Sequence, residues 1–365
     1  MADWTSLLRP ELRDLASYVP ADPPGVRVRL DANEAPPLTS ARVQAAVARA
    51  LERTALERYP DARAGELKAR IAERTGARVE ELLVGTGSDE IIALLLTALG
   101  RPRGGGSLPQ AVVLVPSPTF VMYRVTAKAH GLKPVEVPLD STWDLDAGAM
   151  RRAMEMMPPN VVFIASPNNP TGNRMSDDRI AAVLASSGEA LVVLDEAYVD
   201  YAGESLRSWR ARYPRLAILR TLSKVGLAAL RIGWLEGDEA LVREVDKARQ
   251  PFNVSATSQA AAAAVLADAW DDVREHVAAV VLERARVTEA IQGMPGFEVP
   301  PSSANFVWVG TPRPAAELHA ALLARGVLVR SFHGIGGRLA SRLRITIGTP
   351  EQNDALLDAL LVAVG

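Results

Sequence analysis

The middle of the chain alternates short, uniformly apolar runs with longer stretches in which apolar residues recur at helical spacing. Parallel sheets buried on both faces give this pattern, because a helix that covers the sheet joins each strand to the next. The candidate strands are residues 81–85, 111–116, 160–166, 190–197, 216–221 and 231–237. The candidate helices between them include residues 88–99, 119–130 and 177–186. The pattern predicts an α/β fold with a mostly parallel central sheet flanked by helices.

The pattern changes after Pro251. An alanine-rich stretch at 254–291 is followed by the alternating run NFVWVG, a helical period near 314–325 and the alternating run LRITIG. This mixture predicts a small α+β domain. The residues before 40 are proline-rich and irregular, and we expect them to lie across the body without forming a core. The predicted divisions are an N-terminal arm at 1–40, a large domain at 41–265 and a small C-terminal domain at 266–365.

Composition and charge narrow the classes of function. The 365 residues include 41 lysines and arginines against 43 acidic residues, so the net charge of −2 offers little attraction to nucleic acid or an anionic membrane. The chain has no cysteine, and its four histidines do not have metal-ligand spacing, so we predict no metal site. No apolar run reaches the roughly 20 residues of a spanning helix, and the N-terminus does not read as a targeting signal. We therefore predict small-molecule chemistry in the cytoplasm.

Lys224 is the first candidate for that chemistry. Lysine is scarce in this chain, yet Lys224 stands in the apolar context TLSKVGLAALRIGW. Desolvation lowers the pKa of a lysine and supplies the neutral amine that attacks a carbonyl, a reaction that arginine cannot perform. The alternative is a lysine at a strand end whose ammonium group reaches the solvent.

The sequence GTGSDE follows the first candidate strand and begins an apolar helix. Gly85 and Gly87 allow a tight turn onto the helix N-terminus, where free amides and the helix dipole suit a phosphate, and Ser88 can donate to the same anion. The spacing matches neither a P-loop nor GxGxxG. An ordinary Ser or Asp cap is the alternative.

Two further polar turns follow buried strands. Asn169 lies in SPNNPTG, and Asp195 and Tyr198 lie in ALVVLDEAY, at the strand ends where open α/β sheets bind ligands. A buried acid needs a partner, and a protonated cofactor ring nitrogen is one. The alternatives are a plain Asn-Pro turn and a Mg²⁺ site formed by Asp195 and Glu196.

Arg344 and Arg330, on candidate strands of the small domain, are two candidates for binding an anionic substrate. In SRLRITIG, alternation places Arg342 and Arg344 on the face opposite Leu343, and Arg330 lies in GVLVRSF. Guanidinium groups bind carboxylate and phosphate equally well. Exposed strand arginines without a ligand are the alternative.

Taken together, these motifs resemble a known family. GTGSDE, PSPTFVMY, SPNNPTG, VVLDEAY, TLSKVGLAALRIGW and LRITIGT occur in the order found in pyridoxal-phosphate (PLP) aminotransferases of the aspartate aminotransferase fold, fold type I. SYVP, LDANEAPP and ERYPD are similar to the histidinol-phosphate aminotransferase subgroup. The resemblance covers nearly the whole chain, and it implies the large PLP-binding domain and small domain of that fold.

The resemblance also implies roles for individual residues. Lys224 would be the Schiff-base lysine and acid–base group, and Asp195 would pair with the pyridine nitrogen. Asn169 and Tyr198 would bind the phenolic oxygen of the cofactor, and Phe120 would stack on its ring. The residues implied for the phosphate are Ser88, Asp89, Thr221, Ser223 and Arg231, with Tyr59 from the second subunit of a homodimer. Those implied for the substrate are Tyr18, Asn33, Arg330 and Arg344.

The chain departs from the family pattern at two places. The segment from Lys224 to Arg231 is one residue shorter than usual, which bears on whether Arg231 reaches the phosphate. Phe120 stands where histidinol-phosphate enzymes more often carry tyrosine.

The resemblance implies a reaction as well. A cytoplasmic homodimer would move an amino group between L-histidinol phosphate and 2-oxoglutarate. The alternatives within the fold are an aromatic amino-acid aminotransferase and a lyase similar to threonine-phosphate decarboxylase. A PLP-binding protein without turnover is the non-enzymatic alternative.

Overall fold

The computed structural model describes residues 4–13, 15–17, 19, 21–103 and 109–364. Within these residues the strands are β1 (Val28–Leu30), β2 (Leu82–Thr86), β3 (Val112–Ser117), β4 (Lys133–Pro138), β5 (Val161–Ala165), β6 (Leu191–Asp195), β7 (Leu216–Thr221), β8 (Ile232–Glu236), β9 (Phe306–Gly310), β10 (Val327–Ser331) and β11 (Arg342–Thr346).

The α-helices of the same residues cover the sheets and join their strands. They are α1 (Pro10–Arg13), α2 (Ala41–Glu52), α3 (Gly65–Thr75), α4 (Gly87–Leu99), α5 (Val121–Ala129), α6 (Ala147–Met156), α7 (Asp177–Ser186), α8 (Glu239–Asp246), α9 (Ala256–Asp268), α10 (Trp270–Gln292), α11 (Ala315–Ala324) and α12 (Pro350–Val364). None of these helices is both long enough and apolar enough to span a bilayer.

The large sheet has seven strands in the order β2-β8-β7-β6-β5-β3-β4. All neighbours are parallel except β8, which runs antiparallel to both β2 and β7. The predicted α/β class with a mostly parallel sheet is confirmed. The carboxyl ends of β3, β5, β6 and β7 therefore meet at one edge of the sheet, where the polar turns of the sequence follow them.

Both faces of this sheet are buried, as the uniformly apolar strands predict. In β5, Phe163 packs with Ile91 and Tyr123 on one face, while the next residue, Ile164, packs with Met150 and Ile180 on the other. Alternate residues of one strand thus enter two separate cores.

The small sheet has the order β1-β10-β11-β9 and joins chain segments far apart in the sequence. β1 pairs parallel with β10, whereas β10 and β9 both run antiparallel to β11. The expectation that the residues before 40 form no core is therefore wrong in part. Leu30 is fully buried in the main core cluster, because the alternating run that ends at Leu30 pairs with β10.

Two other details differ from the sequence pattern. β4 was not predicted, since its six residues include Pro134 and Pro138; prolines are tolerated there because β4 is an edge strand. The alanine-rich stretch, for which the sequence pattern indicated no internal division, forms two helices that meet at Ala269, whose φ is −140°. The domain boundaries at residues 40 and 265 stay predictions.

Candidate functional site

A cavity of about 870 Å³ lies at the carboxyl ends of the parallel strands and extends toward the small sheet. The structure brings thirteen of the fifteen predicted site residues to its wall. These are Asn33, Ser88, Asp89, Phe120, Asn169, Asp195, Tyr198, Thr221, Ser223, Lys224, Arg231, Arg330 and Arg344.

Of the other two predicted residues, Tyr59 is not among those that line the cavity. Tyr59 is 82% exposed and stacks on Phe252, with ring centroids 4.7 Å apart. Its predicted contact with a second subunit stays a prediction. Tyr18 lies outside the described residues.

Asp195 is the last residue of β6 and is only 4% exposed. Its Oδ2 accepts a 2.5 Å hydrogen bond from the Tyr123 hydroxyl, and its Oδ1 accepts one of 2.9 Å from the amide of Ala197. Burial raises the pKa of Asp195 to about 6, although these hydrogen bonds and the nearby Lys224 act in the opposite direction. Asp195 is therefore a buried carboxylate that a cation in the cavity would stabilise.

Tyr123 is a functional candidate that the sequence analysis missed. It is fully buried and lies in α5, three residues after Phe120, so one helical turn brings both rings to the cavity. Burial and the nearby Asp195 raise the pKa of Tyr123 well above its usual range, which keeps it a hydrogen-bond donor. The spacing in TFVMY is the signal that could have indicated it.

Glu196 does not join Asp195 in a metal site. Adjacent residues of a strand point to opposite faces, and the Glu196 carboxylate accepts from Ser205, Leu206 and Arg220 at 2.7, 2.8 and 3.2 Å. The alternative of a Mg²⁺ site formed by these two acids is therefore wrong.

Lys224 lies in a wide helical turn, Ser223–Leu227, that follows β7. The Tyr201 hydroxyl donates a 2.5 Å hydrogen bond to the Lys224 carbonyl. Gly226 has φ +93°, and a Cβ there would lie 3.1 Å from Leu38. The amine of Lys224 lies 5.7 Å from the centre of the Tyr198 ring. The side chain thus lines the cavity and does not extend from a strand end into solvent.

The first turn of α4 forms one end of the cavity. Thr86 is the N-cap, so Ser88 lies inside the first turn and is not the predicted cap. Gly87 has φ +76°, and a Cβ built on Gly233 would lie 2.5 Å from the backbone of Gly87 and Ser88. Glycines at these two positions therefore let β8 and the start of α4 approach closely.

Hydroxyl and guanidinium groups surround that helix N-terminus. Thr221 and Ser223 share a 2.9 Å hydrogen bond, and Arg231 lies 3.4 Å from Ser223 Oγ and 3.5 Å from Asp89 Oδ2. Asp89 Oδ1 is buried without a hydrogen-bond partner among the described residues. Although the segment after Lys224 is one residue shorter than in the family pattern, Arg231 lies in this cluster, where its backbone is left-handed with φ +53°.

The small sheet supplies the opposite wall. Arg344 on β11 is buried and donates to Asn169 Oδ1 at 2.6 Å and to the Asp31 carbonyl at 2.5 Å. The alternative of an exposed strand arginine is therefore wrong for Arg344. Arg330 is exposed, but it pairs with Arg344 in register and also lines the cavity. Asn33 donates to the Tyr198 hydroxyl at 2.8 Å.

These residues fit PLP. The hydroxyls, the amides at the start of α4 and Arg231 form a cradle for phosphate. Asp195 is a buried acid that a cationic partner would stabilise, and Phe120 lines the same cavity. Lys224 supplies the primary amine that an aldehyde requires.

Comparisons with known proteins agree with this reading. Residues 27–360 match the family model "aminotransferase class I and II". Histidinol-phosphate aminotransferase 2 of Nitrosococcus oceani is 39% identical over 99% of this chain and 97% of its own length. Histidinol-phosphate aminotransferase of Methylibium petroleiphilum is 40% identical over 97% of this chain and 93% of its own length.

Solved structures show the same fold. Histidinol-phosphate aminotransferase from Sinorhizobium meliloti, in complex with pyridoxal-5'-phosphate, has a TM-score of 0.84, 25% identity and 98% coverage of both chains. L-threonine-O-3-phosphate decarboxylase from Porphyromonas gingivalis has a TM-score of 0.76 at 20% identity over 92% of this chain and 99% of its own, a likeness in fold alone. The chain therefore belongs to the class I and II aminotransferases and is a PLP-dependent transaminase.

Proposed function

We propose that this transaminase exchanges an amino group between L-histidinol phosphate and 2-oxoglutarate. The observation that carries the proposal is a single cavity that holds a primary amine, a buried acid and two arginines, Lys224, Asp195, Arg330 and Arg344. Curated relatives at 37–40% identity over nearly the whole chain have histidinol-phosphate aminotransferase as their name. They do not favour the aromatic aminotransferase, the lyase or the protein without turnover.

PLP supplies an aldehyde that condenses with amines and a ring that withdraws electron density from the bond broken at the substrate Cα. Asp195 has the role of holding a proton on the ring nitrogen. Its burial makes the carboxylate a strong partner for a cation, since charge interactions gain strength where water is excluded.

Lys224 has the role of carrying the proton. Its Nζ would take the proton from the substrate Cα and return it on the other side of the transferred nitrogen. The hydrogen bond from Tyr201 to the Lys224 carbonyl holds the main chain of the turn while the side chain moves. A fixed main chain with a mobile amine suits transfer between two nearby atoms.

The arginines have the role of selecting anionic substrates. Arg344 and Arg330 are register partners on adjacent strands, so two guanidinium groups face one region of the cavity. Glutamate has a second carboxylate, and histidinol phosphate has a phosphate. A planar guanidinium donates two parallel hydrogen bonds to either group. The same wall therefore serves both half-reactions.

The remaining assignments follow the resemblance. Ser88, Asp89, Thr221, Ser223 and Arg231 are proposed for the phosphate of PLP, and Asn169, Tyr198 and Phe120 for its phenolic oxygen and ring. Tyr59 from a second subunit and Tyr18 complete the proposed site. The homodimer and the cytoplasmic location stay predictions from the sequence.

A single-turnover experiment tests the substrate. Holoenzyme is mixed separately with histidinol phosphate, phenylalanine and threonine phosphate, and the visible band of bound PLP is followed. We expect histidinol phosphate to bleach the band at least about tenfold faster than phenylalanine, since two arginines favour the doubly anionic phosphate. If phenylalanine bleaches the band and histidinol phosphate does not, the proposal is wrong. Release of CO₂ from threonine phosphate would also contradict it.

A second experiment tests the amine. Lys224→Ala should slow the half-reaction by at least about 10³-fold, because the proton carrier is lost. Lys247→Ala is the matched control, since Lys247 is exposed and pairs with Glu244 in α8. Normal turnover in Lys224→Ala would refute its assignment.

A further inference from the structure

Asn33 is held unusually firmly for a residue assigned to a substrate pocket. It is 2% exposed and has φ +56°. Its amide donates to Thr346 Oγ1 at 3.0 Å, and its carbonyl accepts from Asn305 Nδ2 at 3.0 Å. Both partners belong to the small-sheet region, so the backbone of Asn33 is fixed on either side of its side chain.

That side chain is directed at Tyr198. Asn33 Nδ2 donates to Tyr198 Oη at 2.8 Å, while Asn33 Oδ1 lies 3.4 Å from Thr346 Oγ1. Thr346 Oγ1 already accepts the Asn33 amide proton, so its own proton is available to Oδ1. The reversed amide would face Thr346 with Nδ2 and would deprive the Thr346 hydroxyl proton of its acceptor, Asn33 Oδ1. The hydroxyl of Tyr198 therefore accepts from Asn33.

A tyrosine hydroxyl has one proton. With an amide donor on its oxygen, that proton points away from Asn33. Within the described part of the chain, Tyr198 Oη has no other hydrogen-bond partner, and the residue lines the cavity. The proton is thus directed at a ligand that fills the cavity.

We propose that Asn33 is a positioning residue that makes Tyr198 a hydrogen-bond donor to the phenolic oxygen of PLP, in place of the substrate contact that the sequence predicted. This inference rests on the proposed function. With PLP bound, its phenolic oxygen would share a proton with the Lys224 nitrogen. A donor from Tyr198 stabilises the oxygen most when that shared proton has left, so it lowers the pH at which the proton leaves.

The test uses holoenzyme without substrate. The variant is Asn33→Gly, because glycine accepts φ +56° while the amide donor is removed. The measurement is the pH midpoint of the absorbance change of bound PLP. We expect Asn33→Gly and Tyr198→Phe each to raise the midpoint by about one pH unit. In the Tyr198→Phe background, Asn33→Gly should shift the midpoint no further, since the hydroxyl through which Asn33 acts is absent.

A control separates this route from loosening of the segment. Asn305→Ala loses the hydrogen bond to the Asn33 carbonyl but leaves the donor to Tyr198 in place. We expect its midpoint to match wild type. Equal shifts of Asn33→Gly with and without the Tyr198 hydroxyl would overturn the inference alone, and so would an Asn305→Ala shift as large as that of Asn33→Gly. Wild-type protein that binds no PLP would overturn the proposed function as well.

Discussion

The hydroxyl of Tyr123 and the carboxylate of Asp195 form a 2.5 Å hydrogen bond between two buried side chains. Tyr123 also stacks on Phe163 of β5, with ring centroids 4.7 Å apart and planes 3° from parallel. The stacking restricts the Tyr123 ring and so holds its hydroxyl in place to donate to Asp195. Burial raises the pKa of Asp195, whereas the Tyr123 hydrogen bond lowers it, so Tyr123 favours the ionised acid.

The first prediction concerns Tyr123→Phe and PLP affinity. PLP with a protonated ring nitrogen binds the ionised carboxylate, so affinity falls when Asp195 takes up a proton in the apoenzyme. Loss of the hydrogen bond raises the pKa of Asp195 above the present value of about 6. We expect the fall in affinity to begin at higher pH, with a loss of about tenfold at neutral pH.

Equilibrium dialysis of the apoenzyme with PLP from pH 5 to 9 measures this effect. Tyr213→Phe is the matched control, because Tyr213 does not line the cavity. Superimposable pH profiles of Tyr123→Phe and wild type would show that the hydrogen bond does not control Asp195.

The second prediction concerns Asp195→Asn and the stability of the apoenzyme. The pKa of Asp195 rises from 3.8 to about 6 on folding, so the folded state holds the proton more tightly. The stability gained from this tighter proton binding is fully present below the pKa of the unfolded state. It is lost as the pH rises through the pKa of the folded state. The ionised acid therefore costs about 3 kcal/mol above pH 6.

Asparagine carries no charge and removes that cost. Apo Asp195→Asn should be more stable than wild type at pH 7.5, by up to about 3 kcal/mol, with the difference vanishing near pH 4. Urea unfolding at both pH values measures this difference in the free energy of unfolding. The control is Glu189→Gln, at an exposed residue, which should have wild-type stability at both pH values. A difference that is the same at both pH values would contradict burial of the charge as the cause.

The sequence could predict the buried strands and the residues at their ends. β5 is apolar at every position and β6 at every position before Asp195, because both faces of the sheet are covered. Asp195 ends β6, and Asn169 and Lys224 follow β5 and β7 at the same edge of the sheet. Parallel topology brings the carboxyl ends of these strands together, so the local sequence pattern was sufficient to predict that the three residues lie close to one another.

The remainder depends on contacts that local pattern does not encode. Tyr123 looks like any aromatic residue on a helix until its hydroxyl is seen beside Asp195. Leu30 and Asn33 are positioned by pairing with strands about 300 residues later, so a proline-rich segment gave no sign of burial. The reversed direction of β8 likewise follows from its two neighbours and not from its own composition.

The third prediction concerns Gly233→Ala. A methyl group there would lie 2.5 Å from backbone atoms of Gly87 and Ser88, which have no rotamer to change. The start of α4 must therefore move away from β8 and from the proposed phosphate cradle. We expect a loss of about 1–3 kcal/mol in the free energy of unfolding and a weaker affinity for PLP.

Urea unfolding of the apoenzyme and dialysis with PLP measure the two effects. Gly334→Ala is the matched control, since a Cβ at Gly334 meets no atom within 4 Å and the residue does not have a positive φ. Its stability should stay within about 0.5 kcal/mol of wild type. Unchanged PLP affinity in Gly233→Ala would remove the start of α4 from the proposed phosphate site.

The fourth prediction concerns Arg338, which ties one wall of the cavity to the large domain. Its guanidinium donates to the carbonyls of Leu139, Asp140 and Ser141 at 3.2, 2.8 and 3.0 Å and lies 4.0 Å above the ring of Trp143. Ile335 and Leu339, on either side of Arg338, line the cavity. The Arg338 guanidinium therefore links this wall to residues 139–143.

Arg338→Ala removes three hydrogen bonds and a cation–π contact, together worth a few kcal/mol. We expect amide exchange in residues 332–341 to quicken by at least about tenfold. If this wall serves substrate binding, as its place in the cavity leads us to propose, KM should rise more than kcat falls. Arg325→Ala, which removes an exposed guanidinium outside the cavity, should change neither quantity. If exchange quickens while KM stays at its wild-type value, the wall does not contribute to substrate binding. If exchange does not quicken, the Arg338 guanidinium does not hold the wall in place.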